Sequence, residues 1–534
     1  MPLCLQKSSL VGICLSWLVL ASCSAAHYRA DADEEVYGII EEKSGGIEGM
    51  PAVFTIEQEP LFPSEELEHP APIILSLAEA LELGVENSRE YQTQKELLYS
   101  QGLSLTLARH EFDPIFSGTA SAEVGRDLQR NSISALLSLG VTKMLATGAD
   151  LSVLITTNLF RFISDGDPAK TAASLLTARV VQPLLRDGGR DVALENLTQA
   201  EREMVYAIRN FVRFRKQLSV NIAKAYYNLL QQKDQVANAQ NNYENLAREL
   251  ERAELLAEAG RLPRFQVDQT RQDELRARDR WVREQKTYEN LLDDFKFLLG
   301  VPTEFSIAPD PAEMENLLMR GTVTPDISLA QAEAIARDLR LDLKNSMGRV
   351  VDARRKIAVA ANALEPRLDL VASLEAGTED DTKPFKFDFE NGSYSAGFDL
   401  ELPLDRKAER NAYRQELIDL NAFRRQLTAD TDRVEIEVRN AFRSLQQAEQ
   451  SFEIQQNSLE LARRRVESAT LLLQAGRASA RDMLEAQEDL LEAQNAVSRA
   501  LVDHFNARLD LFLAMEVLTI NDKGLWAVEY GSES

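Results

Sequence analysis

The chain has 534 residues, 44% hydrophobic and 27% charged, and its mean hydropathy of −0.27 excludes a bundle of membrane-spanning helices. Sixty Lys and Arg against 85 Asp and Glu leave a net charge of −25. Such a surface repels polyphosphate and argues against nucleic acid as a partner.

Residues 1–22 carry one cation, Lys7, and an apolar run over 10–20. That run is too short for a ~30 Å hydrocarbon core but suits a signal peptide. Leu20-Ala21-Ser22-Cys23 resembles the bacterial lipobox, which implies that Cys23 becomes the lipidated first residue of the mature chain. Cys4 and Cys14 fall in the removed segment, so no disulfide is expected. One acyl chain anchors weakly, and a second attachment to the membrane is expected. Residues 23–75 are acidic and broken by Pro51, Pro60, Pro63, Pro70 and Pro72. They read as an extended tether with at most a short helix near 31–43.

The rest is an internal duplication, with a first repeat over 76–301, a connector over 302–327, a second repeat over 328–517 and a tail over 518–534 with no clear signal. At an offset of 252, Leu77 falls on Leu329, Ala108 on Ala360 and Pro114 on Pro366. Each copy opens with a helix-length segment that stops at its proline. The period then changes to two. Leu368, Leu370, Ala372 and Leu374 alternate with polar residues, as do Tyr394, Ala396, Phe398, Leu400 and Leu402, which predicts strands between 366 and 403. A soluble sandwich and a membrane barrel share this local pattern. In the first copy the strand region, 114–183, spans 69 positions between its prolines against 37 in the second. The excess carries two further alternating runs, 135–141 and 150–157, around Thr147-Gly148. They read as an extra hairpin, inside the barrel or outside it.

Long helices are predicted over 190–258 and 407–474. Val434, Val438, Ala441, Leu445, Ala448 and Phe452 keep a four-three spacing that continues to Leu473 with a lapse at Gln455, and the first copy does likewise with a lapse at Gln232. Sustained heptads mean coiled-coil packing, and at 1.5 Å per residue each helix is on the order of 100 Å long. Each ends in a tip turn, 259–263 and 475–478, built on Ala-Gly-Arg repeated at an offset of 216. Glycine there is free to take the positive φ that ends a helix. Return helices follow over 264–299 and 479–515, the first helped by Pro263 and the second by the capping box of Ser479 and Asp482. The connector allows one short helix, 312–319.

Together the duplicated plan, the prolines at helix-to-strand junctions, Gln182-Pro183-Leu184-Leu185 and the Ala-Gly-x turns resemble the TolC family of outer-membrane channels over nearly the whole mature chain. The resemblance implies a mainly α fold with a membrane β-barrel segment: a homotrimer whose coiled-coil tunnel stands in the periplasm. Four strands from each chain would close a twelve-stranded barrel. It implies the exit duct of a tripartite efflux pump or type I secretion system, with a periplasmic adaptor and an inner-membrane transporter as partners. An adaptor would dock on the tips, Gly260, Arg261, Leu262 and Pro263 in one copy and Gly476, Arg477, Ala478 and Ser479 in the other. Asp482 and Glu485, three apart on the return helix, would line the narrow end of the tunnel, where six carboxylates would repel, raise one another's pKa and attract cations. The first copy has Gln266 and Gln269 there. Independently, two strands, or even six, cannot close a barrel alone, and open edges are not tolerated in lipid.

No catalytic constellation stands out, and no cofactor or metal is expected. His27, His69, His110 and His504 are scattered away from any Cys or second His at ligand spacing, and His504 reads as a helix residue on a surface or seam. Arg186-Asp187-Gly188-Gly189-Arg190 lacks the glycine spacing of a nucleotide loop and reads as a strand-to-helix bend. Heptads and alternation alone also allow a secreted coiled-coil adhesin with a small β domain.

Overall fold

A computed structural model of the chain describes residues 24–57, 72–127, 130–162, 170–379, 383–475 and 477–526. The expected signal peptide, Cys23, Gly476 and the tail beyond 526 lie outside the described residues. The chain forms two compact units, one comprising Met1–Gly45, Leu98–Ile208 and Asn345–Thr428, the other Gly46–Leu97, Arg209–Lys344 and Ala429–Ser534.

In the first unit, residues expected to form a tether fold as helix α1, Ala25–Ser44, which buries Val36, Ile39 and Ile40. The helix allowed near 31–43 is longer than expected and packed, for a physical reason. Those three residues make a narrow apolar stripe at helical spacing, and the helix 89–110 supplies partners for two of the acids beside it. Tyr99 donates to Asp33 at 2.7 Å, and Arg109 pairs with Glu42 at 3.1 Å.

Each repeat opens with two helices rather than one: α2 (Leu77–Asn87) and α3 (Arg89–His110) in the first, α8 (Leu329–Leu339) and α9 (Leu341–Asn362) in the second. Ser76 with Glu79 and Ser328 with Gln331 close matching capping boxes. Extended backbone at Ser88 and at Arg340 breaks the run in both copies. Arg340 is buried, and its guanidinium bridges Asp342 at 2.7 Å, Glu437 at 2.8 Å and the Ala514 carbonyl at 3.2 Å. That break is therefore a fixed corner in the second unit.

The strands β2 (Ile115–Asp127), β3 (Arg130–Met144), β4 (Asp150–Phe162), β5 (Lys170–Pro183), β7 (Arg367–Gly377) and β8 (Ser393–Glu401) form one sheet in that order, antiparallel throughout. The extra hairpin is β3–β4, and it lies within the sheet. The four strands per chain implied by the resemblance become six.

Past the bend at Gly189 come the short α4 (Arg190–Ala193) and α5 (Glu195–Glu258), then the return helix α6 (Arg264–Leu299); the second copy has α10 (Lys407–Gln474) and α11 (Ala480–Ala514). Seam residues are buried as their spacing requires, among them Ile222, Leu229, Leu246, Val434, Val438 and Leu445. At the lapse, buried Gln232 donates to the Glu284 carboxylate on α6 at 2.7 Å. On another flank α5 meets α11, where Asn238 donates to Asn495 at 2.9 Å and Ser498 to Asp234 at 2.6 Å.

Residues 73–75, placed in the tether by sequence, form β1 (Ile73–Leu75), which pairs in parallel with β6 (Ile307–Pro309) from the connector. The connector's helix α7 (Pro311–Arg320) is capped by Asp310. Within the second unit, buried Arg215 ties together the segments before and after the repeats, donating to the Gly49 carbonyl and, at 2.9 Å, to that of Asn521.

Candidate functional site

The hairpin tips form as the repeated turn requires. Gly260 sits at φ 70° and closes α5 through the Arg261 amide on the Leu256 carbonyl, 2.9 Å; Arg477 to Leu472, 2.8 Å, is the same bond in the second copy. Arg261, Pro263, Arg477 and Ser479 are exposed, while Leu262 and Ala478 are half-buried. The sequence reading missed the apolar residues beside these turns: Leu255, Phe265 and Leu471 are each about three-fifths exposed or more. Their signal was position, since Leu255 and Leu471 lie off the heptad seam and so stay largely exposed in their own hairpin.

Asp482 and Glu485 have different surroundings. Asp482 is committed to its cap: the Ser479 amide and hydroxyl donate to its carboxylate at 2.8 and 2.7 Å. These bonds, the hydroxyl's first, hold its carboxyl below the usual range within one chain. Glu485 lines a cleft of about 650 Å³ in the second unit, between α5, α6 and α11. Arg276, Arg280, Arg283 and Arg481 share that cleft with Asp273 and Glu488, and Arg280 pairs with Glu488 at 3.3 Å. Burial pushes the Asp273 carboxyl up, and nearby Arg276 opposes it. Within one chain, then, Glu485 meets a mixed-charge wall. Gln269, its counterpart in the first copy, lines the same cleft. The arginine density of α6 was visible in the sequence but reads there as a solvated face.

The sheet has two chemically distinct faces. Its register puts Phe116, Leu139, Ile155, Leu176, Leu374 and Tyr394 on one face and Ser117, Ser138, Thr156, Thr177, Glu375 and Ser393 on the other. Phe116, Leu139, Tyr394 and Phe398 are more than half exposed. The face is mainly apolar, interrupted by the hydrogen-bonded Thr157 and Ser174, and its exposure marks it for lipid or a partner. Toward the helix-joined end the polar face gathers Asp150, Arg179, Arg367, Asp369, Asp399 and Glu401 around a recess of about 540 Å³.

Elsewhere, His504 is buried, and its Nε2 lies 3.3 Å from the Thr324 hydroxyl; burial lowers its pKa. No group of three His, Cys, Asp or Glu that could hold a metal ion occurs among the described residues. No described helix is long and apolar enough to cross a membrane, which says nothing of the sheet.

Residues 334–515, most of the second repeat, match the family described as outer membrane efflux protein. The chain is 25% identical over 435 residues to the pyoverdine export outer membrane protein OpmQ of Pseudomonas aeruginosa, covering 79% of this chain and 83% of that one. Its fold is similar to that of VceC from Vibrio cholerae, with a TM-score of 0.61, 17% identity and coverage of 82% and 95% of the two chains. It is likewise similar to the CmeC outer membrane channel of Campylobacter jejuni, with a TM-score of 0.60, 14% identity and coverage of 90% and 96%.

Proposed function

We propose that this chain belongs to the TolC family of outer-membrane efflux proteins and assembles as a trimer into the outer-membrane exit duct of a tripartite efflux pump. The observation that carries the reading is the sheet. Its exposed apolar face and opposite polar face, joined to paired long helices, are what a lipid-embedded, water-lined barrel and a helical tunnel need. A secreted adhesin would have no use for so much exposed apolar strand surface. Because the sheet ends in open edges at β2 and β8, closure requires other copies of the chain. A heat-sensitive trimer in detergent-extracted outer membranes tests the reading, and a protein released without detergent would overturn it.

The partners we assign are a periplasmic adaptor and an inner-membrane transporter, with the adaptor on the hairpin tips. Half-buried Leu262 and Ala478 with exposed Leu255, Phe265 and Leu471 supply the apolar contact that tip-to-tip packing needs. Cys23 would carry the lipid, and the barrel would supply the second attachment. In the trimer, Asp482 and Glu485 of three chains would face one another across the narrow end of the tunnel, with the arginines of the cleft limiting their mutual repulsion. Efflux of small molecules is the cargo class we favour over protein secretion, on the strength of the relative named for pyoverdine export.

A further inference from the structure

The two copies of the duplication contribute unequally to the sheet: β7 and β8 come from the second, and β2, β3, β4 and β5 from the first. Three observations bear on β3–β4. First, both strands are long enough to span a bilayer, at 15 and 13 residues against the ~9–11 a tilted strand needs. Second, their faces continue those of the neighbours without a slip. Leu139 stands between Gly118 and Ile155, and Ile155 pairs on with Leu176; on the other side Ser138 stands between Thr119 and Thr156, a face that is mainly polar but also carries Leu136, Leu154 and Leu175. A hairpin outside the membrane has no reason to keep that register, since a one-residue shift exchanges the faces. Third, its turn is pinned at the strand-to-helix bend. Thr147 donates to Gln182 at 2.8 Å, and the Gly189 amide donates to the Thr147 carbonyl at 3.2 Å. The hairpin therefore runs the full height of the sheet down to the helices.

We propose that β3–β4 is a membrane-embedded part of the barrel, so that the trimer closes eighteen strands, three times six, and its outer-membrane pore is wider than the duplication alone would build. The proposal rests on the trimeric-duct reading above. With strands ~4.8 Å apart and tilted ~40°, eighteen strands give a backbone diameter of roughly 36 Å, and the twelve strands of two hairpins per chain roughly 24 Å. After allowance for side chains, the lumen is roughly 26 Å against 14 Å across. The exit then does not sieve cargo by size, and selection falls to the helical part of the duct.

The test is single-cysteine labelling of the full-length trimer in liposomes with a membrane-impermeant hydrophilic maleimide, after subtraction of the signal of the unsubstituted chain. Ser138→Cys and Thr156→Cys should label about tenfold or more faster than Leu139→Cys and Ile155→Cys, as Ser395→Cys should against Phe398→Cys on β8. Equal rates on β3 and β4 with alternation preserved on β8 would place the hairpin outside the barrel and overturn the proposal. Loss of alternation on β8 as well would overturn the barrel reading beneath it. A chain lacking 130–162 keeps four antiparallel strands, and its trimer should exclude polyethylene glycol added from outside above a hydrodynamic radius of roughly 7 Å, against roughly 13 Å for the full chain. An unchanged cutoff in an assembled deletion trimer would refute the wider pore, and the labelling pattern decides if that chain does not assemble.

Discussion

Gly300→Ala should open the second unit where α6 ends. Gly300 caps α6 at φ 77°, with its amide on the Lys296 and Phe297 carbonyls. A Cβ built there lies 2.0 Å from the Asn87 carbonyl oxygen, 2.6 Å from its carbon and 3.1 Å from the Ser88 Cα. All three are backbone atoms at the break between α2 and α3, so no side-chain rotation relieves the clash. Left-handed backbone costs an L-residue about 1–2 kcal/mol, and the forced displacement adds about 1–3 kcal/mol. Gly260→Ala at the first tip separates the two effects, because Gly260 has φ 70° with nothing within 4 Å of its Cβ. Hydrogen exchange on the extracted trimer reads both. Protection should fall further at 84–89 in Gly300→Ala than at 256–262 in Gly260→Ala, by about 5- to 150-fold, the equivalent of that extra 1–3 kcal/mol. Equal losses would show that α2 and α3 are not packed on the end of α6 as the distances require.

In planar bilayers, Asp482→Asn with Glu485→Gln should weaken cation selectivity and block by multivalent cations; wild-type conduction and block would reduce the two acids to cap and surface charge. Leu262→Glu with Ala478→Glu should abolish transport in cells while the extracted trimer stays intact, and retained transport would count against adaptor docking at the tips. Cys23→Ala should abolish acyl labelling of the chain, and unchanged labelling would show that the lipobox reading is wrong. The caps should fray in acid. Ser479 holds the Asp482 carboxyl below its unfolded value of 3.8, and Ser76 holds that of Glu79 below 4.5. Each cap therefore adds stability above the unfolded value and loses it as pH falls through the lower folded one. Amide exchange over 77–81 and 480–485, corrected for intrinsic rates, should lose protection below about pH 4 and not between pH 5 and 7; a flat profile would remove the caps from the account.

Much of this architecture was legible because the duplication let each copy check the other. The offset of 216 fixes both tips: Arg261 and Arg477 make the same bond to residues five positions back. The prolines at 114 and 366 stop helices in both copies because neither can donate an amide there. What stayed hidden depended on partners distant in sequence. The breaks at Ser88 and Arg340 follow no proline or glycine; at Arg340 the corner is held by Glu437 and a carbonyl of α11, far along the chain. Helix α1 buries three aliphatic residues among many acids, too few to outweigh the charge until Tyr99 and Arg109 are known to face them.

The proposed gate shows the same limit from the other side. Spacing alone puts Asp482 and Glu485 on one helix face, and that geometry is correct for an isolated helix. The environment then divides them. Ser479 lies within reach of Asp482 because it caps the same helix, a local fact written in the motif itself. The arginines beside Glu485 come from α6, about two hundred residues earlier, and Arg481 comes from its own helix. If this cleft lies at the proposed constriction, cation selection there depends on the balance of Asp273, Asp279, Glu485 and Glu488 against Arg276, Arg280, Arg283 and Arg481. Neutralising Arg481 should therefore strengthen the selectivity that neutralising Glu485 weakens.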